Sequence, residues 1–437
     1  MVSNMPHIVI VGGGAGGLVL ASLLGRKMGK KKTARITLVD EQLTHIWKPL
    51  LHEVAAGSLN PYQDELNYFA QGKRNGFSFQ PGRMVGLGRQ EKTILLDDMQ
   101  DDAGGKLLDA RSIHYDYLVL AVGGTANDFG TKGAKEHCIY LDTRKQAERF
   151  HRTLLSHYYR AKAGGSSDVR LDIAIVGAGA TGVELAAEVH HAAEVLMRYG
   201  LDEIKPANVK ISLLEAADRV LPALSEHIST AVHHELQRIG VDVLVGEKVT
   251  EITSDSILTA SGKVIPAQIK VWSAGVQAPD ILRDLGGLVN DRGNTLLVNE
   301  FLQTEDPYVF AFGDCASCTT KNTKGETVRV PPRAQTAFLQ AKWLAKAISE
   351  IVQGKGVEDA FIYQDYGSLI SLSSHTAVGR LMGNLTGSVN VEGFTARMAY
   401  LFLYRKHQAA LYGWPRMLVF VLKDWLGRSS GPNLKMH

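Results

Sequence analysis

Glycines at fixed spacing near the N-terminus are the first residues of this chain whose types and positions predict chemistry. Gly12, Gly14 and Gly17 follow an apolar run at 7–11. In a Gly-x-Gly-x-x-Gly pattern, a tight turn joins a buried strand to a helix whose first amide groups bind a pyrophosphate. The pattern alone is a weak indicator, because glycine-rich turns also simply end strands.

The surrounding residues strengthen the prediction of a nucleotide site. An apolar helix face follows at 18–24, and a second strand-like run at 36–39 ends at Asp40. An acid at this strand end accepts hydrogen bonds from the adenosine ribose of a dinucleotide. We therefore expect a dinucleotide to contact a set of residues in this segment: Gly12, Gly14, Ala15, Gly16, Gly17 and Asp40.

The same arrangement occurs a second time. An apolar run at 172–176 leads into a glycine turn at 177–182, and a strand at 209–214 ends in Glu215. Two such sites predict a flavoprotein, in which one fold holds FAD and the other binds NADH as an exchanging substrate. Glu215 favours NADH over NADPH, because its charge would repel a 2′-phosphate. The expected NADH contacts are Gly177, Gly179, Thr181, Gly182, Glu184, Glu215, Ala274 and Gly275.

Two further strands end in small residues that the flavin would approach. The run at 117–122 ends at Gly123, and this return to the sheet is repeated in the second fold just before Ala274 and Gly275. The run at 308–312 ends at Gly313-Asp314, where a carboxylate would accept hydrogen bonds from the ribityl hydroxyls of a flavin. The expected FAD contacts therefore include Gly123, Gly313 and Asp314.

Composition narrows the class of protein. The chain has 437 residues, with 45% hydrophobic residues and 44 glycines, which favours turn-rich α/β domains with a large core. A net charge of +3 is too small to indicate nucleic-acid binding. Three cysteines do not make a disulfide framework and favour a reducing compartment. The apolar runs outside the nucleotide strands are too short to span a bilayer.

Two pairs of residues leave alternatives open. Cys315 and Cys318 form a Cys-x-x-Cys pattern that suits a redox dithiol or half of a zinc site, although packing inside the Gly-Asp segment is the favoured interpretation. His190 and His191 suit a metal site, although two solvated histidines on a helix face are favoured, since no second ligand pair accompanies them. We expect no bound metal. Asp142 is the expected cap of a helix that begins nearby.

These segments together resemble one family, the type II NADH dehydrogenases, which are single-subunit NADH:quinone oxidoreductases of bacterial membranes. The resemblance covers nearly the whole chain and is carried by the two glycine turns and by motifs at 47–55, 181–186, 311–316, 331–335 and 367–373. It implies bound FAD, NADH as donor, a membrane quinone as acceptor and no proton pumping. Trp47-Lys48-Pro49 stands where flavin disulfide reductases carry a redox cysteine pair, which disfavours thiol chemistry.

The resemblance also implies three catalytic residues. Gln335 would lie where quinone meets flavin, Lys48 would contact the flavin, and Glu184 would lie on the nicotinamide side, although an acid there also suits the helix dipole. The family motif Ala-Gln-x-Ala-x-Gln is altered here, because Leu339 stands where the second Gln belongs and Gln340 follows one place later. One extra helical residue rotates a side chain by about 100°, which puts a quinone contact of Gln340 in doubt.

The C-terminal region differs from the rest of the chain. Residues 394–428 combine many aromatic residues with six Lys or Arg and one acid, Asp424. This composition predicts a segment lying in the interface of an anionic lipid membrane. A helix that covers the core or a homodimer partner is the alternative. On the membrane interpretation, the protein is peripheral to the cytoplasmic face of the bacterial inner membrane.

The predicted fold is α/β, with two Rossmann-like dinucleotide-binding domains and a C-terminal membrane-associating segment. The expected parts are an FAD domain in two pieces, 1–141 and 286–390, an NADH domain at 142–285, and the terminal segment 391–437. The expected function is NADH:quinone oxidoreduction. A flavoprotein that binds NADH as a redox sensor, with little turnover, is the alternative.

Overall fold

The computed structural model describes most of the chain in two compact units. The described residues are 5–60, 65–101, 104–165, 168–372, 376–383, 387–392, 405, 408–427 and 434–436. The first unit comprises Met1–Trp47, Glu65–Thr125 and Val276–Gln364, and the second comprises Lys48–Asp64, Ala126–Gly275 and Asp365–His437. The domain boundaries expected from the sequence stay a prediction.

Helices and strands alternate along much of the chain. The helices are α1 (Gly17–Leu24), α2 (Leu51–Ala56), α3 (Tyr68–Asn75), α4 (Ala134–His137), α5 (Arg144–Gly164), α6 (Ala180–Arg198), α7 (Glu226–Arg238), α8 (Ala334–Val352) and α9 (Trp414–Gly427). The strands of the first half are β1 (His7–Val11), β2 (Arg35–Asp40), β3 (Thr44–His45), β4 (Leu66–Asn67), β5 (Ser78–Pro81), β6 (Met84–Gly88), β7 (Thr93–Leu96), β8 (Met99–Gln100), β9 (Lys106–Leu108), β10 (Arg111–His114), β11 (Tyr117–Leu120), β12 (Ile139–Tyr140), β13 (Leu171–Val176) and β14 (Val209–Leu214). Those of the second half are β15 (Asp242–Leu244), β16 (Val249–Ile252), β17 (Ser256–Thr259), β18 (Val264–Pro266), β19 (Ile269–Trp272), β20 (Leu296–Val298), β21 (Val309–Ala311), β22 (Ala316–Lys321), β23 (Thr327–Arg329), β24 (Gly367–Leu372), β25 (Thr376–Gly383) and β26 (Gly387–Glu392).

A parallel five-stranded sheet forms the centre of the first unit. Its strand order is β21-β11-β1-β2-β5, and every residue of β1 is buried. Strands of a parallel sheet are covered on both faces, which is why β1 is a continuous apolar run rather than an alternating one. Smaller sheets, β10-β7-β6 and β20-β22-β23, accompany it. A short hairpin lies beside them, in which β8 pairs antiparallel with β9.

The second unit repeats this architecture around the sheet β12-β19-β13-β14-β15, which is also parallel. The repetition extends to single hydrogen bonds. Gly12 N donates to Val39 O at 2.8 Å, and Gly177 N donates to Leu214 O at 2.7 Å. In both folds, the first glycine of the turn is thereby tied to the neighbouring strand. The prediction of two Rossmann-like domains is confirmed.

The cap expected for α5 was wrong by one residue. Thr143 is the N-cap, and it forms a capping box with Gln146, whose side chain in turn accepts from the backbone of the cap. Asp142 instead accepts a hydrogen bond from Ala126 N and pairs with Lys48. A threonine followed three residues later by glutamine is the sequence signal for this box.

The C-terminal region is described in part. Many of its aromatic and basic residues, including Phe394, Arg397 and Tyr400, lie outside the described residues. α9 is described, and on it Leu418 and Val419 are each 62% exposed. Among the helices that the structure describes, none combines the length and the apolar content needed to cross a bilayer. Antiparallel strands β24, β25 and β26 precede this region.

Candidate functional site

The first glycine turn has the shape of a cradle for a pyrophosphate. Gly12 has φ +103°, and a Cβ at this position would lie 2.3 Å from Ala121 O. A Cβ at Gly17 would lie 1.8 Å from Gly12 O, so the start of α1 packs on the turn only because this residue lacks a side chain. Gly14 faces open space. Since the first amides of a helix lack intrahelical partners, this open space is suited to an anion.

Asp40 closes the turn from the end of β2. Its Oδ2 accepts a hydrogen bond from Gly13 N at 2.6 Å, and its Oδ1 accepts one from Gln42 N at 2.8 Å. Burial raises the pKa of Asp40 to about 6, and the two backbone donors act against that rise. The carboxylate therefore both orders the glycine turn and lies at the position where a ribose hydroxyl binds in such folds.

Tyr68 and His45 shape the same turn, and neither was among the residues predicted from the sequence. The Tyr68 hydroxyl donates to Gly13 O at 2.8 Å, and a Cβ at Gly13 would lie 2.4 Å from that hydroxyl oxygen. Burial raises the pKa of Tyr68 well above its ordinary value and lowers that of His45 to about 4, so both rings are neutral near pH 7. The sequence feature that could have indicated a close neighbour here is Gly13, a glycine that the Gly-x-Gly-x-x-Gly pattern does not require.

The Gly313–Cys315 turn and the start of α8 form the other side of the FAD site. Gly313 has φ +75°, and its amide donates to Gln340 Oε1 at 2.9 Å. Ala337 packs against two glycines, since a Cβ at Gly16 would lie 3.0 Å from its carbonyl oxygen and a Cβ at Gly313 would lie 3.3 Å from its methyl group. Ala337 therefore joins the first glycine turn to the Gly-Asp motif.

Asp314 and Gly123 belong to this group. A Cβ at Gly124 would lie 3.1 Å from Asp314 Cβ, and Gly123 has φ +73° with open space around it. The expected FAD residues of the first unit are thus brought together around one turn.

Two neighbouring side chains on α8 have different environments. Gln335 is half-buried, whereas Thr336 is only 2% exposed. The Thr336 hydroxyl is buried without a hydrogen-bond partner in the described part of the protein. Buried polar groups normally have partners, so a polar ligand held beside the start of α8 would satisfy this hydroxyl. The residues of the first unit therefore fit a flavin dinucleotide.

The second glycine turn has the same construction. Gly177 has φ +99°, and a Cβ there would lie 2.7 Å from the backbone of Ala274. Gly179 faces open space, and Thr181 is exposed at the start of α6. A Cβ at Gly182 would lie 1.9 Å from Gly177 O. This turn therefore offers a second open cradle for a pyrophosphate, beside the loop that contains Ala274.

Glu215 corresponds to Asp40 in this second fold. Its Oε2 accepts from Ala178 N at 2.8 Å, and its Oε1 accepts from Ala217 N at 3.0 Å. The acid predicted from strand order thus lies directly beside the second glycine turn.

Glu184 is buried on α6 and lies against a histidine that was not among the residues predicted from the sequence. His52 Nδ1, on α2, is 3.4 Å from Glu184 Oε2, and both residues are about 5% exposed or less. Burial lowers the pKa of His52 to about 4, so its imidazole is neutral near pH 7. One helical turn further, Ser58 Oγ donates to Glu188 Oε2 at 2.9 Å. These contacts fix α2 against the helix that begins at the NADH turn.

Lys48 forms an ion pair within the second unit. Its Nζ is 2.8 Å from Asp142 Oδ1, and the lysine side chain is about half exposed. Its expected contact with the flavin stays a prediction. Asp142 was not among the predicted site residues.

The two cysteines and the two histidines for which alternatives were left open have surroundings typical of structural residues. Cys315 Sγ donates to Phe312 O at 3.2 Å, and burial raises the pKa of Cys315 to about 11 and that of Cys318 to about 12. Both thiols are free and buried, which favours the packing interpretation over a dithiol reaction. His190 Nε2 and His191 Nδ1 lie 3.5 and 3.6 Å from Glu194 on the same helix.

Comparisons with known proteins agree with this geometry. A family model described as pyridine nucleotide-disulphide oxidoreductase matches residues 6–341. The type II NADH:quinone oxidoreductase of Haemophilus influenzae is 42% identical over 449 residues, covering 99% of this chain and 100% of that protein. The Ndh protein of Mycobacterium tuberculosis, with the same description, is 29% identical over 95% of this chain and 86% of its own length.

A solved structure shows the same fold. NDH2 from Plasmodium falciparum, in complex with NADH, matches with a TM-score of 0.79 at 18% identity and covers 99% of this chain and 100% of that one. The resemblance inferred from the motifs is thereby confirmed. The chain belongs to the pyridine nucleotide-disulphide oxidoreductase family and, within it, to the type II NADH:quinone oxidoreductases.

Proposed function

We propose that this chain oxidises NADH through a bound FAD and passes the electrons to a membrane quinone without pumping protons. The repeated glycine turn is the main observation that supports this proposal. Gly12 and Gly177 have nearly the same φ and the same backbone hydrogen bond, and an acid, Asp40 or Glu215, accepts from the amide that follows each of them. Two dinucleotides therefore have one site each, and a 42% identical relative that aligns over 100% of its own length carries the name of this activity.

The division of labour between cofactor and protein follows from these sites. FAD, when bound, supplies a group that accepts a hydride from NADH and returns two electrons to quinone. Gly14 and Gly179 leave open the spaces in which the pyrophosphates would bind. Asp40 and Glu215 would accept from ribose hydroxyls and so orient the two dinucleotides. The protein contributes mainly position and exclusion of water.

Glu184 is the carboxylate that we assign to the nicotinamide side. It lies in the first turns of α6, directly after the glycine turn, and is 5% exposed. The contact with His52 supports this assignment, because a neutral imidazole beside the buried carboxyl group of Glu184 restrains its orientation. We assign Gln335 to the quinone step because its side chain is only half-buried. The side chain of Gln340, in the second turn of α8, instead accepts a hydrogen bond from Gly313 N.

A dithiol relay has little support in this chain. Trp47, Lys48 and Pro49 occupy the segment in which a redox pair would stand, and the three cysteines are buried with pKa values raised to about 11 or 12. Thiolate is the reactive form of cysteine, so these thiols are poor nucleophiles near pH 7. Direct transfer from FAD to quinone is therefore favoured over transfer through cysteine.

The lipid surface is the proposed source of the quinone. On α9, Leu418, Val419 and Leu422 are 56–62% exposed, and Arg416 is exposed on the same helix. Exposed apolar residues beside a cation suit a helix that lies in the interface of an anionic membrane. This supports a peripheral protein, and we assign it to the cytoplasmic face of the bacterial inner membrane.

Turnover tests the proposed function. Purified protein should carry flavin absorbance and should oxidise many equivalents of NADH per flavin when a soluble quinone is present. A redox-sensing flavoprotein would stop after one reduction. Gly12→Val is the matched control, because a side chain at Gly12 would overlap Ala121 O and should remove both the flavin and the activity. A flavin-loaded wild-type protein that stops after one equivalent would contradict the proposal.

A further inference from the structure

Phe129 combines an exposed aromatic ring with a strained backbone. Its side chain is 68% exposed and its φ is +53°, a left-handed conformation that is strained for residues with a Cβ. Strain of this kind persists only where surrounding contacts impose it, and it is concentrated at ligand-binding positions.

The surrounding residues hold this ring in place. Asn127 Oδ1 accepts a hydrogen bond from Phe129 N at 2.8 Å, which fixes the turn. The buried indole of Trp272 donates to Asn127 O at 2.9 Å and to Ala274 O at 3.1 Å. Trp272 therefore fastens the loop of Phe129 to the loop that follows β19. The ring edge lies on that loop, since a Cβ at Gly275 would be 2.6 Å from Phe129 Cζ.

The loop after β19 borders the second glycine turn. Ser273 Oγ donates to Val176 O at 2.9 Å and to Gly177 O at 3.0 Å, and Ala274 lies against Gly177. In the parallel sheet β12-β19-β13-β14-β15, β14 and β15 are added on one side of β13 and β19 on the other, so the strand order switches between β13 and β19. A dinucleotide binds across the carboxyl ends of the strands at this switch point.

The two halves of the dinucleotide therefore lie on opposite sides of the turn. Glu215, at the end of β14, marks the adenosine side. The nicotinamide half must extend the other way, over the end of β19 and toward Gly275. The exposed ring of Phe129 packs against this loop at Gly275.

We propose that Phe129 packs against the nicotinamide riboside of NADH and holds it at the end of β19. The inference depends on the proposed function only in naming NADH as the ligand. A flat, weakly polar ring that binds there would cover the phenyl group and remove apolar surface from water. The strained turn keeps the ring in place before the nucleotide arrives, which reduces the ordering that binding requires. Phe129 is thus a positioning residue for the hydride donor.

Paired ligands test this assignment in the FAD-loaded, oxidised, full-length protein. NAD⁺ and ADP-ribose share the adenosine and pyrophosphate groups, but only NAD⁺ carries nicotinamide. Calorimetric titration should show that Phe129→Ala weakens NAD⁺ binding about 3- to 30-fold, the range expected for a lost aromatic contact with its buried area. ADP-ribose should bind as it does to the wild type. Phe129→Tyr should preserve both affinities.

Phe129→Gly separates the ring from the backbone. Glycine accepts positive φ without strain, so this variant should unfold at the wild-type temperature or above it while binding NAD⁺ as weakly as Phe129→Ala. Val264→Ala, at another exposed apolar residue of the second unit, is the matched control and should change neither affinity. Wild-type NAD⁺ affinity in Phe129→Gly, or equal weakening of NAD⁺ and ADP-ribose in Phe129→Ala, would overturn the proposal. Both outcomes are measured without turnover, so a failure of the proposed activity is detected separately.

Discussion

Gln340 should act on FAD binding and stability rather than on quinone. Its Oε1 accepts from Gly313 N at 2.9 Å, and the side chain is 2% exposed. Gln340→Met removes the acceptor oxygen and approximately preserves the side-chain volume. The main cost is therefore that the backbone N–H of Gly313 loses its hydrogen-bond partner. That cost is about 1–3 kcal/mol, with little added for a cavity.

The expected effect is large enough to measure. Each kcal/mol corresponds to about 2–4 °C in melting temperature for a folding unit of about 150–250 residues. Gln340→Met should therefore melt several degrees below the wild type and should lose FAD during gel filtration, because Gly313 and Asp314 are no longer held in position. Gln340→Glu retains an acceptor oxygen and should keep more of the flavin.

Three measurements together test the role of Gln340: calorimetry, flavin absorbance after gel filtration, and stopped-flow kinetics of both half-reactions. The rate of quinone reduction per bound flavin should stay near the wild-type value. A Gln340→Met protein that keeps its melting temperature and its FAD, yet reduces quinone slowly, would refute this reasoning and would make Gln340 a quinone contact.

Four further outcomes follow from other parts of the structure. Gln335→Ala should slow flavin reoxidation by quinone about tenfold or more while leaving anaerobic reduction by NADH nearly intact, and equal losses in stopped flow would instead make it a flavin-positioning residue. Glu215→Gln should raise the ratio of NADPH to NADH oxidation, and an unchanged ratio in steady-state assays would contradict its ribose role. Because burial raises the pKa of Cys315 to about 11, on the order of one thiol in a thousand is ionised at pH 8, so native protein should resist a thiol-reactive dye that labels the unfolded chain, and rapid labelling would show an open site. Leu418→Glu with Val419→Glu should reduce sedimentation with anionic vesicles at low salt without loss of FAD, whereas undiminished sedimentation would argue against α9 as the lipid contact.

Substitution on α9 is a cleaner test of membrane binding than truncation after β26. The C-terminal residues return to the second unit, where Lys435 N donates to Gly57 O at 2.9 Å and Lys435 O accepts from His151 at 2.9 Å. The Tyr159 hydroxyl donates to Met436 O at 2.9 Å. A truncated chain would lose these contacts together with the proposed lipid surface. The sequence offered no sign of this return, because it depends on residues far apart along the chain.

The repeated fold could be predicted because its signals are local. Strands such as β1 and β13 are continuous apolar runs, and the glycines that follow them are required by a positive φ and by close backbone approach at Gly12 and Gly177. The acids at the strand ends follow at a regular distance. Each of these features involves residues within one strand-turn-helix-strand segment. The order of residue types along the chain is then sufficient to predict it.

Contacts between distant segments could not be predicted in the same way. Tyr68 against Gly13, His52 against Glu184 and Lys48 against Asp142 join residues 55 to 132 positions apart along the chain, and none of these residue types in isolation indicates its partner. The helix rotation put a quinone contact of Gln340 in doubt, which stays a prediction, whereas only the packing of α8 identified Gly313 as its hydrogen-bond partner. The amino-acid order alone is sufficient to locate the two glycine turns and their strand-end acids, because these features act through the backbone nearby. Tertiary structure decided which buried side chains surround each turn, because those contacts depend on how helices pack rather than on spacing along the chain.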